Sequence, residues 1–315
     1  MKPTGIIDLH CDTLTAIKPC PGDFPNTLNR EGSHLALSKI PSQTKWVQTY
    51  GIFTPPSVTG QAAVDYFNYF TGSFYAQAQR YPDRFAPCRS FEDISAALDQ
   101  GKVAGVLAVE GGSVLNGKLD LIAQIAQAGV RLFTLVWNNP NELGSGWDTE
   151  EGLTSFGKEA IRQLEANRII VDASHLNDTG FRDLLDTARR PFIASHSNAR
   201  AVTAHNRNLP DCFIREIVDR KGLIGLNYHM PFLSDRGSEN SFEDLLRHTE
   251  HFLTLGCEKV LALGSDFDGA QVAPCLDSAE KVLCLYDYFI SHGIPENTAN
   301  DIFFGNAYSF FRENL

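Results

Sequence analysis

The 315-residue sequence predicts an α/β fold, a (β/α)₈ TIM-type barrel, on three observations. Eight short runs rich in Val, Ile, Leu and Phe, bounded by Gly, Asn, Pro or charge, read as buried strands. Helical patterns separate most of them, and strands that alternate with helices pair in parallel through right-handed crossovers. Residues of metal-ligand type close several of the runs, on strands spread along the whole chain. A closed barrel brings the ends of strands one, three, five, six and eight to one mouth, whereas an open doubly wound sheet would scatter them.

The first strand lies near residues 5–9, with His10 and Asp12 just after it. The Pro- and Asn-rich stretch 18–45 departs from the repeating pattern and is expected to form a long loop over the mouth. Strand two lies near 46–53. In 62–80, Tyr66, Phe67, Phe70 and Phe74 form the apolar stripe of a helix packed on the core. The remaining strands lie near 103–109, 131–137, 168–174, 192–195, 222–228 and 260–266. Segments 155–167, 177–188, 211–220 and 241–255 each open on a capping-type residue or an acidic first turn and read as crossover helices. A last helix is expected over about 296–312. No linker composition or internal repeat divides the chain, so residues 1–315 are expected to be one catalytic domain, in the size range of a barrel with insertions.

Composition narrows the function classes. With 43% hydrophobic and 21% charged residues, the chain has the make-up of a globular protein with a sizeable core. A net charge of −11 disfavours nucleic acid, whose binding rests on Lys and Arg neutralising phosphates. No apolar run approaches the roughly 18 residues of a membrane helix, and the start of the sequence reaches Asp8 and His10 before a signal-type apolar stretch develops. A cytoplasmic protein is expected, without membrane association. Its seven scattered cysteines, an odd number lacking any Cys-x-x-Cys pair, are expected to be reduced thiols.

The chemistry sits at the strand ends. Residues two apart on a strand share a face, so His10 and Asp12 can bind one ion from the same side while Cys11 points away from it. Taken alone, such a pair reads as a hydrogen bond at a strand end; the other strand ends change that reading. Glu110 closes Leu107-Ala108-Val109 and precedes two glycines, a costly place for a carboxylate unless something charged lies beside it. His175 and His196 then follow successive apolar strands. Three histidines and two carboxylates exceed what one four-coordinate zinc with an open position needs. Two ions sharing a bridge fit better, and Glu110 has the two oxygens for it.

Gly264-Ser265-Asp266-Phe267-Asp268-Gly269 closes the eighth strand. An Asp-x-Asp at such a place also begins phosphatases that form an aspartyl-phosphate, but Ala270 stands where their threonine would be, and the 45 residues of 271–315 are too few for the rest of that fold. Asp266 is therefore expected to be a catalytic acid or base, and Asp268 a turn residue. The G-x-S-x-G elbow, P-loop and H-E-x-x-H signatures are absent.

Together, His10-Cys11-Asp12, Val109-Glu110-Gly111-Gly112, Asp172-Ala173-Ser174-His175, Ser195-His196-Ser197, Arg207-Asn208-Leu209-Pro210-Asp211 and Gly264 to Gly269 resemble the membrane (renal) dipeptidase family of zinc metallopeptidases, in a bacterial-type cytoplasmic form. The match runs in order over nearly the whole chain, from residue 6 to Gly305-Asn306. The resemblance implies two Zn²⁺ per chain, one held by His10, Asp12 and Glu110, the other by Glu110, His175 and His196. It implies hydrolysis of a dipeptide by a metal-bridging hydroxide, with Asp266 handling the proton and Arg207 gripping the terminal carboxylate. A guanidinium suits a carboxylate, and such a clamp limits how much peptide can follow the scissile bond. Other divalent metals fit the same donors.

The sequence departs from the family at the end of strand four, where Trp137 replaces a histidine that in many relatives contacts the substrate carbonyl. Asn138, Asn139 or Asn141 is the expected substitute donor, unless the metals suffice. His205 and His229 lie near site loops without a role; His34, His248, His251 and His292 read as surface or helix residues. The competing functions are another metal-dependent amide hydrolase acting on a cyclic or acylated amino-acid derivative, and a barrel that binds without catalysis. A dipeptide is the expected partner, and a homodimer is permitted.

Overall fold

Nine parallel strands form the sheet of this computed structural model, which describes residues 2–20, 22–239 and 241–315. They are β1 (Ile6–Cys11), β2 (Trp46–Phe53), β3 (Phe85–Cys88), β4 (Val103–Glu110), β5 (Val130–Thr134), β6 (Ile170–Asp172), β7 (Ile193–Ala194), β8 (Leu223–Leu226) and β9 (Leu261–Leu263). Eight of them close a ring in the order β1, β2, β4, β5, β6, β7, β8, β9 and back to β1, which is the expected barrel. The eight lie where the apolar runs place them, several a residue or more shorter.

The ninth strand, β3, was not expected. It pairs with Val103–Val106 of β4, while β5 takes over from Leu107, so it lies outside the ring beside the first half of β4. It is short and holds Pro87, which reads as a break in a sequence and is tolerated at a sheet edge.

A β-bulge interrupts β1: Asp8 pairs with Gln48 but Cys11 with Tyr50, so three steps on one strand match two on the other. Ile7 and Leu9 pack with Val47, Ala104, Ala108, Leu132, Ile170, Ile193, Leu223 and Ala262 in one cluster drawn from all eight ring strands. The extra residue then reverses the alternation, and His10 joins the same interior. Cys11 goes to the layer between sheet and helices, away from the ligand-type residues as expected.

The crossover helices are α1 (Gln61–Arg80), α2 (Phe91–Asp99), α3 (Leu121–Gln127), α4 (Ser155–Ala166), α5 (Asp178–Thr187), α6 (Asp211–Asp219), α7 (Met230–Leu233) and α8 (Phe242–Thr254). Their starts carry the caps read in the sequence: Asn177 accepts from Gly180 N at 2.7 Å, Thr154 from Gly157 N at 2.9 Å, and Ser241 forms a capping box with Asp244. In α1, Phe67, Phe70 and Phe74 are buried, and Phe74 meets Tyr50 and Phe85. After β9 come α9 (Val282–Ser291), α10 (Glu296–Asn300), a π-helical turn over Asp301–Gly305, and α11 (Asn306–Asn314). These last three form the expected final helix. Phe304, Phe310 and Phe311 join the barrel-interior cluster, so this helix seals the barrel. Among the described residues no helix is long and apolar enough to cross a membrane.

The 18–45 segment is loop, apart from a 3₁₀ turn at Leu37–Lys39; residue 21 lies outside the described residues. Asp268 pins it to the mouth, accepting from Thr13 Oγ1 at 2.6 Å and from His34 N at 2.6 Å. With φ of +66°, Asp268 is the expected turn residue and a loop anchor as well.

His248 lies on α8, as read, but is fully buried rather than on the surface. Its Nδ1 accepts from Ala199 N at 3.2 Å and its Nε2 donates to Leu233 O at 3.1 Å. Burial, aided by nearby Arg247 and opposed by the Leu233 carbonyl, pulls its pKa from 6.5 down to about 4. Because the folded value is depressed, its contribution is complete above pH 6.5 and is lost as pH falls toward 4. That loss is expected to reach about 3 kcal/mol. Urea unfolding from pH 7 to 4 should show a flatter acid limb in His248→Gln than in the parent; identical slopes would refute the assignment.

Candidate active site

The mouth residues come from the C-terminal ends of the strands, where barrel chemistry is housed. His10 lies on β1 with Asp12 just beyond it, Glu110 ends β4, His175 and His196 follow β6 and β7, and Asp266 follows β9. Two of them hold strained backbones: His175 has φ +71° and Asp266 +62°, conformations that L-residues adopt rarely outside over-determined sites. Two glycines make room. A Cβ on Gly269 would lie 1.8 Å from Asp12 Oδ2, and one on Gly51 would lie 3.0 Å from the His10 ring.

Glu110 is at the centre, and its two oxygens face different groups. Oε2 lies 3.5 Å from His10 Nε2, which is also 3.5 Å from Asp12 Oδ2. Oε1 lies 2.9 Å from His175 Nε2 and 3.6 Å from His196 Nε2. Asp266 Oδ1 reaches to 4.0 Å of His10 Nε2. The ligand atoms of His10, Glu110 and His196 all fall within 4.8 Å of one another, as do those of His10, Asp12 and Asp266. The five expected ligand residues and Asp266 are thus in one place.

Polar groups beneath the site hold the imidazoles. The Asp172 carboxylate accepts from Ser195 Oγ at 2.6 Å, from Thr134 Oγ1 at 2.6 Å and from two backbone N–H groups. Ser195 has spent its one hydrogen on Asp172, so at 2.7 Å it can only accept from His196 Nδ1. The His196 Nε2 then carries a lone pair. His175 Nδ1 faces Asn138 Oδ1 at 2.9 Å, which leaves its Nε2 in the same state. These two Nε2 atoms nevertheless lie 2.9 Å apart. Two lone pairs that close repel unless a cation lies between or beside them.

The electrostatics point the same way. His10 Nε2 and Asp12 Oδ1 are buried without a hydrogen-bond partner. Burial, with Glu110's charge beside it, pushes the Asp12 carboxyl up to about 7. Burial also lowers His175 and His196, keeping them as neutral imidazoles, the form that binds metal. The donor set fits divalent cations: hard carboxylates, neutral imidazoles and unpaired atoms facing one another.

A cavity of about 310 Å³ opens over this cluster, lined by Asp12, Glu110, His175 and Asp266 on its polar side and by Phe53, Trp137 and Phe232 on its apolar side. Trp137 packs edge-on against Phe53, with centroids 5.1 Å apart. Of the three candidate asparagines, Asn138 alone is on this wall. Asn141 is consumed locally, donating to Leu135 O and accepting from Leu143 N, while exposed Asn139 lines a neighbouring cleft.

Arg207 is not on the cavity wall. It is 3% exposed, behind Phe232, with Nη1 donating to Ser197 Oγ at 2.7 Å and Nη2 to His196 O at 2.9 Å. Its Nε has no partner, and among the described residues no carboxylate lies within ion-pair distance of it. Burial lowers its pKa to about 10, which leaves it a cation at neutral pH.

The sequence assigns no role to three residues of the site, although Asp172 opens the motif that ends at His175 and His229 lies on a loop near the site. Asn227 is buried after β8 and donates to Asp266 Oδ2 at 3.1 Å. His229 is on the cavity wall, its Nδ1 accepting from Gln271 N at 3.2 Å, which leaves Nε2 as the protonated nitrogen. Asp172 supports His196 through Ser195. A polar residue closing an apolar run marks Asp172 and Asn227, as it does Glu110; no such signal marks His229.

Comparison with known proteins identifies the family and supports the fold. A family model described as membrane dipeptidase (Peptidase family M19) matches residues 1–314. The structure is similar to that of dipeptidase AC, a metallopeptidase of family M19, with a TM-score of 0.93 and 26% identity over 99% of both chains. It is similar also to a metallopeptidase from Rhodobacter sphaeroides solved with a phosphinate mimic of the dipeptide L-Ala-D-Ala: TM-score 0.90, 25% identity, 99% of this chain and 100% of that one. An uncharacterized protein from the PQQ-III 3′ region of Acinetobacter calcoaceticus is 32% identical over 188 residues, 56% of this chain; the match spans 60% of that relative's length.

Proposed function

Because this chain belongs to the membrane dipeptidase family, Peptidase family M19, we propose that it is a metal-dependent dipeptidase that works with two divalent ions, zinc being the expected metal. One observation carries the reading: the two oxygens of Glu110 face two separate groups of ligand-type atoms. His10, Asp12 and Glu110 would hold one ion, and Glu110, His175 and His196 the other. When bound, the pair supplies a water of lowered pKa and positive charge for the developing oxyanion.

The chain's own residues do the rest. Asp266, oriented by Asn227 and exposed to the cavity, takes the proton of the attacking water and returns it to the leaving amine. Arg207 is a buried cation with no carboxylate in ion-pair distance among the described residues, and the substrate's terminal carboxylate would supply the counter-ion once Phe232 yields. Asn138 keeps its amide N–H groups for the substrate carbonyl, on the cavity wall beside Trp137. A cavity of about 310 Å³ suits a dipeptide better than a longer chain. The seven unpaired cysteines favour a reducing compartment, so a cytoplasmic location belongs to the proposal.

Elemental analysis of the purified protein, with turnover of L,L- and L,D-dipeptides, tests this. The Rhodobacter relative's ligand is the reason for the L,D series. About two divalent ions per chain and loss of turnover on chelation are expected, with tripeptides and N-acyl amino acids poor substrates. Absence of bound metal after reconstitution, or turnover of acyl derivatives alone, would overturn the reading.

A further inference from the structure

Asn138 Oδ1 is shared by two groups: Trp147 Nε1 at 2.6 Å and His175 Nδ1 at 2.9 Å. An indole N–H donates and never accepts, so the atom facing Trp147 is the amide oxygen and the orientation of Asn138 is chemically determined. His175 Nδ1 must then carry the proton, and its Nε2 presents a lone pair toward Glu110 Oε1. Trp147 is itself held in place. Gly146 bridges to Leu176, the neighbour of His175, in a close approach that leaves no room for a side chain, since a Cβ there would lie 2.0 Å from Trp137 O. Asn177 Nδ2 ties the same loop down through Thr149 O at 3.0 Å. His196 has its own support in Ser195 and Asp172, and nothing else among the described residues touches His175 Nδ1 within hydrogen-bond distance.

We infer that Asn138, locked by Trp147, is a positioning residue that fixes His175 in its ion-binding tautomer, and so sets the affinity of the ion shared by Glu110, His175 and His196. The inference rests on the two-ion proposal. It places a determinant of metal affinity on the loop after β5, away from the ligand strands, and makes Asn138 part of the metal centre's support.

Competition titration of apoprotein with zinc against a chelating dye tests it, in the parent, Trp147→Phe, Asn138→Leu and Asn138→Asp. In Trp147→Phe and Asn138→Leu the second equivalent should bind about 10- to 100-fold more weakly, with the first unchanged and circular dichroism as in the parent. Asn138→Asp keeps an acceptor toward His175 and should restore second-equivalent affinity to the parent level or above. At saturating zinc, Trp147→Phe should regain most of its turnover. Parent-like second-equivalent affinity in both Trp147→Phe and Asn138→Leu would overturn the inference, as would failure of Asn138→Asp to rescue. A parent that binds fewer than two ions would instead overturn the two-ion proposal.

Discussion

Replacing Glu110 by glutamine is expected to lower dipeptide turnover on the order of 10⁴-fold and to leave the purified protein short of both ions. The side chain keeps its shape, so the barrel should fold. What changes is charge and donor pattern. One oxygen becomes an NH₂ that faces an imidazole lone pair, either His10 Nε2 at 3.5 Å or His175 Nε2 at 2.9 Å. Since the same residue lies between both groups, both ions should weaken together, which a ligand of one ion alone would not cause. His10→Gln is the comparison, expected to weaken one equivalent more than the other. Two tightly held ions in Glu110→Gln, measured by elemental analysis after dialysis, would remove Glu110 from the bridging position.

Arg207→Met is expected to reduce kcat/KM for dipeptides by roughly 10²- to 10³-fold, the range for removing one partner of a buried charge pair. The loss should vanish when the substrate is a dipeptide amide, which has no carboxylate to bind. Stability should move the other way or not at all. In the free protein Arg207 is a buried cation with an unpartnered Nε and, among the described residues, no carboxylate in ion-pair reach, so methionine relieves a desolvation cost while leaving Ser197 Oγ and His196 O to re-pair. Equal losses on acid and amide substrates would show that Arg207 acts on the site as a whole rather than on the carboxylate.

Legibility varied with the physical signal. The cluster at the mouth was readable because an ionisable residue closing a Val/Ile/Leu run is costly unless paired, and His10, Glu110, His175 and His196 share that signature. The ring was readable because parallel strands buried on both faces are nearly continuous apolar runs. β3 was hidden by Pro87, and the burial of His248 was not legible because helix periodicity does not report which face meets a loop. The asparagines after β5 were indistinguishable in sequence; only the fold of the loop turns Asn141 inward on its own backbone and leaves Asn138 on the cavity wall. Arg207 carried a motif but no depth, and its place behind Phe232 follows from tertiary packing.

The bulge in β1 decides which kinds of genetic change this enzyme survives. Before the extra residue the strand contributes hydrocarbon to the barrel interior, and after it the same interior receives an imidazole and a carboxylate. Point changes in Ile7 or Leu9 alter packing by degrees and leave that hand-over in place. One residue gained between Asp8 and His10, with the pairing of Ile6–Asp8 and the single bulge kept, would turn His10 toward the helices, whereas loss of the extra residue would return the strand to plain alternation with His10 still facing inward. Drift by substitution is therefore open to this segment, and lengthening is closed.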